Sequence, residues 1–202
     1  MTDHYYTAEP TLAHDEHTFT FNLLGNDLKF TSDAGVFSKQ TIDFGTRTML
    51  EAFDADKIPD GRILDLGAGY GPVAISLAKV MPERQFVAAE VNHRAVDLIK
   101  RNAEANRVLD QIEIVQSDIY QAVQDRFAAI MVNPPVRAGK AVVQTMLREA
   151  HEHLLPGGTL TVVLQKKQGA PSAKALMDET FGNVQTIDKA KGYYVMESVY
   201  DD

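Results

Sequence analysis

The tetrapeptide Asn133-Pro134-Pro135-Val136 carries the most chemical information in this chain of 202 residues. Each proline fixes its own φ and biases the residue before it toward extended backbone. Asn133 therefore projects from a stiff point. Its side-chain carbonyl is one hydrogen-bond acceptor, and the main-chain carbonyl of Pro134 is a second. Two acceptors converging on an exocyclic NH₂ would bind both of its hydrogens. That turns the nitrogen lone pair out of conjugation and toward an electrophile. The same acceptors stabilise the positive charge that grows on the nitrogen, and most of the remaining catalysis is positioning. No strong base is needed before attack, because the substituted nitrogen becomes acidic and releases its proton afterwards.

A second constellation could hold the electrophile. The run Arg62-Ile63-Leu64-Asp65-Leu66 leads into Gly67-Ala68-Gly69-Tyr70-Gly71-Pro72, and apolar residues at helical spacing follow. A glycine turn between strand and helix is where α/β proteins seat nucleotide-like ligands. Glycine allows close backbone approach and positive φ, and Pro72 suits the first turn of a helix. The spacing is G-x-G-x-G with Pro at position 72, so the dinucleotide fingerprint G-x-G-x-x-G fails. Asp65, two residues before the first glycine, would repel a pyrophosphate and attract an ammonium group. S-adenosylmethionine has that ammonium group and no phosphate. Glu90 ends the next strand in Glu90-Val91-Asn92, where a carboxylate accepts hydrogen bonds from ribose hydroxyls. Asp118 ends the third strand, before Ile119, and is the candidate acceptor for an adenine amino group. Each acid alone could be a simple turn or N-cap residue; the three together at successive strand ends address amino acid, ribose and adenine.

The elements that must position these groups follow from periodicity. Residues 17–23 alternate, a Gly25-Asn26 step follows, and Leu28 and Phe30 resume the alternation, which predicts a β-hairpin. A short helix is expected from about 46 to 53. Strands are expected at 62–66, 85–91, 112–115, 127–132, 159–165, 183–189 and 193–200. Helices are expected at 72–80, 94–106, 141–155 and 173–181. Alternating strands and helices imply a parallel sheet covered on both faces, with the last two strands as an antiparallel pair at one edge. The division expected is 1–57, an N-terminal extension with the hairpin and short helix packed on the main domain, and 58–202, the ligand-binding domain.

Composition narrows the field. Apolar residues are 45% and charged residues 24% of the chain, enough for a real core. The net charge of −8 rules out a strongly basic nucleic-acid coat and leaves room for a local basic patch. With no cysteine there is no disulfide, no Cys nucleophile and no thiolate metal site. His151 and His153 are two apart and face different ways, so no metal is expected. No signal peptide or membrane span is read, which predicts a cytoplasmic protein. The oligomeric state stays open, a monomer included.

Asp65-Leu66-Gly67-Ala68-Gly69-Tyr70-Gly71 together with Asn133-Pro134-Pro135 resembles the class I S-adenosylmethionine-dependent N-methyltransferases. More narrowly, Gly35-Val36-Phe37-Ser38-Lys39, Ile42-Asp43-Phe44-Gly45-Thr46 and the segment from Asn133 to Lys140 resemble the ribosomal RNA small-subunit methyltransferase C type, from about residue 17 onward. That resemblance implies an α/β, Rossmann-like doubly wound seven-stranded sheet and methylation of guanine N2 in ribosomal RNA. It also implies that Phe37 and Ser38 lie near cofactor or target base. Expected cofactor contacts are Asp65, Gly67, Ala68, Gly69, Gly71, Glu90, Val91, Asn92, Asp118, Ile119, Asn133 and Phe37; expected catalytic residues are Asn133, Pro134 and Pro135. Two departures stand out. Many amino-methyltransferases place an aromatic after the two prolines, where this chain has Val136, so either another residue such as Phe37 stacks on the base or the base is held less tightly. Longer family members carry an additional N-terminal domain, for which this chain leaves no room. Arg137, Lys140, Lys166 and Lys167 fall at strand ends and would form a basic rim, with Lys29, Lys39 and Arg47 in the N-terminal part. Rival readings are a protein glutamine N-methyltransferase, a non-catalytic cofactor-binding module that docks on ribosomal particles, and a nicotinamide oxidoreductase, which Asp65 and Pro72 disfavour.

Overall fold

The computed structural model describes residues 8, 12–36 and 40–201. In chain order its elements are β1 (His17–Leu23), β2 (Asn26–Ser32), α1 (Phe44–Ala52), β3 (Ile63–Leu66), α2 (Pro72–Val80), β4 (Phe86–Glu90) and α3 (His93–Ala105). Then follow β5 (Ile112–Gln116), β6 (Phe127–Val132), α4 (Lys140–Arg148), β7 (Leu154–Gln165), α5 (Ala170–Phe181), β8 (Gln185–Ala190) and β9 (Tyr193–Val199). β1 and β2 form an antiparallel hairpin, Phe19 opposite Phe30 and Phe21 opposite Leu28. The other seven strands form one sheet in the order β5-β4-β3-β6-β7-β9-β8. The strands run parallel from β5 to β7; β9 then pairs antiparallel to both β7 and β8.

Side-chain alternation along buried strands makes two cores from one sheet. Ile63, Phe86, Ala88, Ala129 and Met131 face one way, against α1, α2, α3 and the hairpin. Leu64, Val87, Ala89, Ile130, Val132 and Leu160 face the other, against α4 and α5. The expected doubly wound sheet is therefore present. Leu28, Phe30, Met49 and Leu50 share a cluster with Ile63 and Ile75, so hairpin and α1 are continuous with the main core.

Two boundaries move. The helix expected over 141–155 stops at Arg148, and a 3-10 segment, Glu149–His153, follows. Strand β7 starts at Leu154, earlier than the expected 159. Leu154 pairs with Phe127, the register then jumps, and Thr159 pairs with Ala129. Pro156-Gly157-Gly158 lies in that irregularity, tied down by Gly157 N–H to the Tyr200 carbonyl and Tyr200 N–H to the Gly158 carbonyl, both 2.8 Å.

The hairpin is held by two asparagines of the α3 stretch. Asn102 Oδ1 accepts from Thr31 N–H (2.7 Å) and its Nδ2 donates to the Thr31 and Tyr70 carbonyls (2.9 Å each). Asn106, the C-cap of α3, does the same with both backbone groups of Lys29. The two amides stand in for a neighbouring strand along the edge of β2. Near them, buried Asp33 accepts from His14 Nδ1 (2.5 Å) and Asp15 N–H (2.6 Å), with Arg94 at 3.6 Å, and Arg101 forks onto Glu16 at 2.7 and 2.9 Å. Among the described residues no helix is long and apolar enough to cross a membrane.

Candidate functional site

In an α/β sheet a ligand cleft opens beyond the carboxyl ends of the strands, where the strand order reverses. Here the reversal lies between β3 and β6, and a cavity opens there. The loop after β3 takes positive φ at Gly67 (73°), Gly69 (59°) and Gly71 (98°). Gly71 is the N-cap of α2, and a Cβ on it would come within 2.9 Å of Ile75 Cδ1, so the turn and the close approach both demand glycine. Pro72 opens the helix with no donor lost.

Two buried carboxylates shape this loop. Asp65, 4% exposed, accepts from Ala74 N–H through Oδ2 at 3.0 Å. Glu90, 6% exposed, accepts from Gly69 N–H through Oε2 (2.8 Å) and from Asn92 N–H through Oε1 (2.9 Å). Burial pushes the Asp65 carboxyl up to about 7; the Ala74 N–H opposes that and the Glu90 charge adds to it. Burial likewise pushes Glu90 up to about 7 against the pull of the Asn92 and Gly69 N–H groups. No Lys, Arg or His among the described residues pairs with either acid. The donor set fits a ligand that brings its own positive charge and hydroxyl donors, and it repels a diphosphate.

Across the cavity, at the end of β6, stands Asn133. Its Nδ2 donates to Asp43 Oδ2 and to Thr46 Oγ1, both at 3.0 Å. A carboxylate only accepts, so this contact fixes which end of the amide is nitrogen; Oδ1 has no donor among the described residues, and Asn133 lines the cavity with Pro134 and Pro135. Asp43 is the N-cap of α1, accepting from Thr46 N–H at 3.1 Å, and the Tyr193 hydroxyl lies 3.5 Å from its other oxygen. The Pro134 carbonyl already accepts from Val136 N–H at 2.9 Å, which leaves one of its two lone pairs.

Of the expected site residues, the structure gathers Asp65, Gly67, Ala68, Gly69, Glu90, Asn133, Pro134 and Pro135 around one cavity, and adds Asp43, Thr46 and Val36. Gly71 shapes the loop behind it. Asn92 is fully buried as the N-cap of α3, accepting from Ala95 N–H and donating to the Gly35 carbonyl, so it pins the 33–36 segment; Val91 precedes it, half-buried. Asp118 is exposed and Ile119 half-buried, and both border a different recess with Tyr120 and Thr145. Phe37 and Ser38 lie outside the described residues. Val136 packs against the α4–α5 core. Arg137, Lys140, Lys166 and Lys167 are exposed, as a rim requires.

Sequence reasoning missed Asp43 and Thr46 as partners of Asn133. The available signal was an Asp before a helix, an N-cap pattern; nothing local announces a contact across 90 positions.

Residues 27–197 match the family model of the methyltransferase small domain. An uncharacterized protein of Bacillus subtilis, YbxB, is 43% identical over 200 residues, 98% of each chain. The ribosomal RNA small subunit methyltransferase C of Photorhabdus laumondii is 32% identical over 81% of this chain and 48% of its own. Among solved structures, a T. thermophilus 16S rRNA N2 G1207 methyltransferase in complex with AdoMet and guanosine superposes with a TM-score of 0.82 at 29% identity, over 95% of this chain and 52% of that one. The chain thus spans about half the length of the ribosomal RNA methyltransferases it matches. On the family match and on the sheet, loop and Asn-Pro-Pro geometry described above, the chain belongs to the methyltransferase small domain family, on the class I fold whose cofactor is S-adenosylmethionine.

Proposed function

We infer that the chain methylates an exocyclic amine, guanine N2 of ribosomal RNA, with S-adenosylmethionine as donor. The observation that carries the reading is the locked amide of Asn133, with its nitrogen tied to Asp43 and Thr46, beside a cavity that holds two buried acids with no cationic partner among the described residues. Asp65 would take the cofactor's ammonium group and Glu90 its ribose hydroxyls, while the Gly67–Gly69 backbone gives it room to approach. S-adenosylmethionine supplies a methyl group on a cationic sulfur. Asn133 Oδ1 and the remaining lone pair of the Pro134 carbonyl accept the two hydrogens of the amine. The Asp43 carboxylate, behind the amide, polarises it and strengthens Oδ1 as an acceptor. As positive charge builds on the amine nitrogen, these dipoles oppose it without reorganising. The methylated nitrogen then gives its surplus proton to water.

The likeness to a methyltransferase solved with guanosine supports a guanine target, and the exposed cations near the cavity support RNA over a glutamine side chain. Mass spectrometry of ribosomal RNA nucleosides from cells with and without the gene tests this. The reading predicts the loss of one N2-methylguanosine; an unchanged RNA profile with a lost methylglutamine would replace it with the protein-directed reaction.

A further inference from the structure

Arg47 is held in an unusual way. It sits one residue beyond Thr46 in the first turns of α1. Its guanidinium lies over the Phe21 ring at 5.2 Å and the Phe44 ring at 5.0 Å, and its Nε is buried with no hydrogen-bond partner among the described residues. Glu51, four residues on, is the ordinary helical partner for such a cation, yet the two make no ion pair. Elsewhere Arg62, Arg94 and Arg101 all find carboxylates. A guanidinium set over two rings, with no carboxylate partner among the described residues, is pre-organised to receive an anion.

A second cation joins it. Lys191 Nζ lies 4.7 Å over the same Phe44 ring, and that ring packs on Tyr193 with centroids 5.7 Å apart. A Cβ on Gly45 would come within 2.7 Å of Tyr193, so α1 can press on this ring only with glycine there. The antiparallel register, Tyr193 opposite Gln165, carries the Lys191-Gly192 turn to the carboxyl ends of the parallel strands, where the cavity opens. Lys166 N–H donates to the Gly192 carbonyl at 2.8 Å, so exposed Lys166 and Lys167 join the same turn. The patch touches the reaction site through Asp43, which lies 3.5 Å from the Tyr193 hydroxyl and 3.0 Å from Asn133.

We propose that Arg47 and Lys191, set about the Phe44 ring, grip the backbone phosphates of the RNA strand that delivers its base to Asn133. This rests on the RNA reading above. A chain of net charge −8 repels RNA at long range, so its phosphate contacts must be few and local. Two cations beside the reaction site, neither with a carboxylate partner among the described residues, meet that need.

The test is binding of a labelled oligouridylate, and of small-subunit ribosomal RNA from cells lacking the gene, by fluorescence anisotropy between about 50 and about 200 mM KCl. Each phosphate contact on a single strand contributes about 0.7 to the slope of log K against log salt. R47Q and K191Q should each flatten the slope by about that amount, and the double variant by about twice as much. R47K should keep the slope and lose affinity, because an ammonium lacks the planar, delocalised group that stacks on aromatic rings. R148Q, at the other end of the sheet, should change nothing. K191Q alters an exposed side chain, so its result decides the matter even where R47Q disturbs packing. An unchanged slope in K191Q overturns the patch while the methyl-transfer reading stands. A wild-type protein that binds no RNA and labels a protein instead overturns both.

Discussion

Lowering the pH should strip this protein of its cofactor in a way that the two buried acids set quantitatively. Asp65 and Glu90 are each pushed up to about 7 in the free protein, chiefly by burial. On the proposed assignment, an ammonium group and ribose hydroxyls would bind their ionised forms. A carboxyl of that pKa is about 90% ionised near pH 8 and about 10% near pH 6. Each group that must ionise therefore weakens binding about tenfold across that interval, and both together about a hundredfold. Equivalently, complex formation near pH 7 releases protons. Calorimetric titration of S-adenosylmethionine in buffers of different ionisation heat measures the release directly. D65N removes one titrating group, so it should bind weakly at every pH with only about tenfold pH dependence left. A wild-type affinity that is flat, or tighter near pH 6, would refute the assignment of these acids to the ligand.

The same acids set stability. Their folded pKa lies above the unfolded value, so the folded chain keeps protons that the unfolded chain has lost, and the cofactor-free protein should lose stability as pH rises from about 4.5 to about 7; thermal melting at several pH values checks this, and a D65N curve as steep as the wild type would contradict it. N133A should cut kcat by about 10²-fold or more and leave cofactor affinity nearly unchanged. D43N keeps a capping side chain but weakens the hold on the Asn133 amide; kcat should fall about tenfold with little change in KM, whereas a KM effect alone would place Asp43 in substrate binding. N102A frees both backbone groups of Thr31 and the Tyr70 carbonyl, and should cost about 2–4 kcal/mol in denaturant unfolding.

The parts of this molecule that sequence reveals are those whose cause is local. The hairpin follows from alternation about Gly25-Asn26, and α2 from a glycine turn before Pro72. The run 127–132, apolar throughout, is buried throughout. That Asp65 with the glycine loop and Asn133-Pro134-Pro135 line one cavity is legible because strand ends converge in any parallel α/β sheet. What stayed hidden is long-range. The amides of Asn102 and Asn106 look like ordinary polar residues of a helix until β2 lies beside them. Asp43 caps α1 through local contacts, and only the fold brings its carboxylate to Asn133. The early start of β7 was masked by Pro156-Gly157-Gly158, which signals a stop but here forms an irregularity within a strand. Asp118, a strand-end acid expected to contact the cofactor, lies exposed and borders a different recess from the cavity around Asp65.

The most direct test incubates the protein with methyl-tritiated S-adenosylmethionine and small-subunit ribosomal RNA from cells lacking the gene, then digests the RNA to nucleosides and separates them. The account predicts label in N2-methylguanosine from wild-type protein and none from N133A. Label in any other nucleoside, or equal label from N133A, would contradict it.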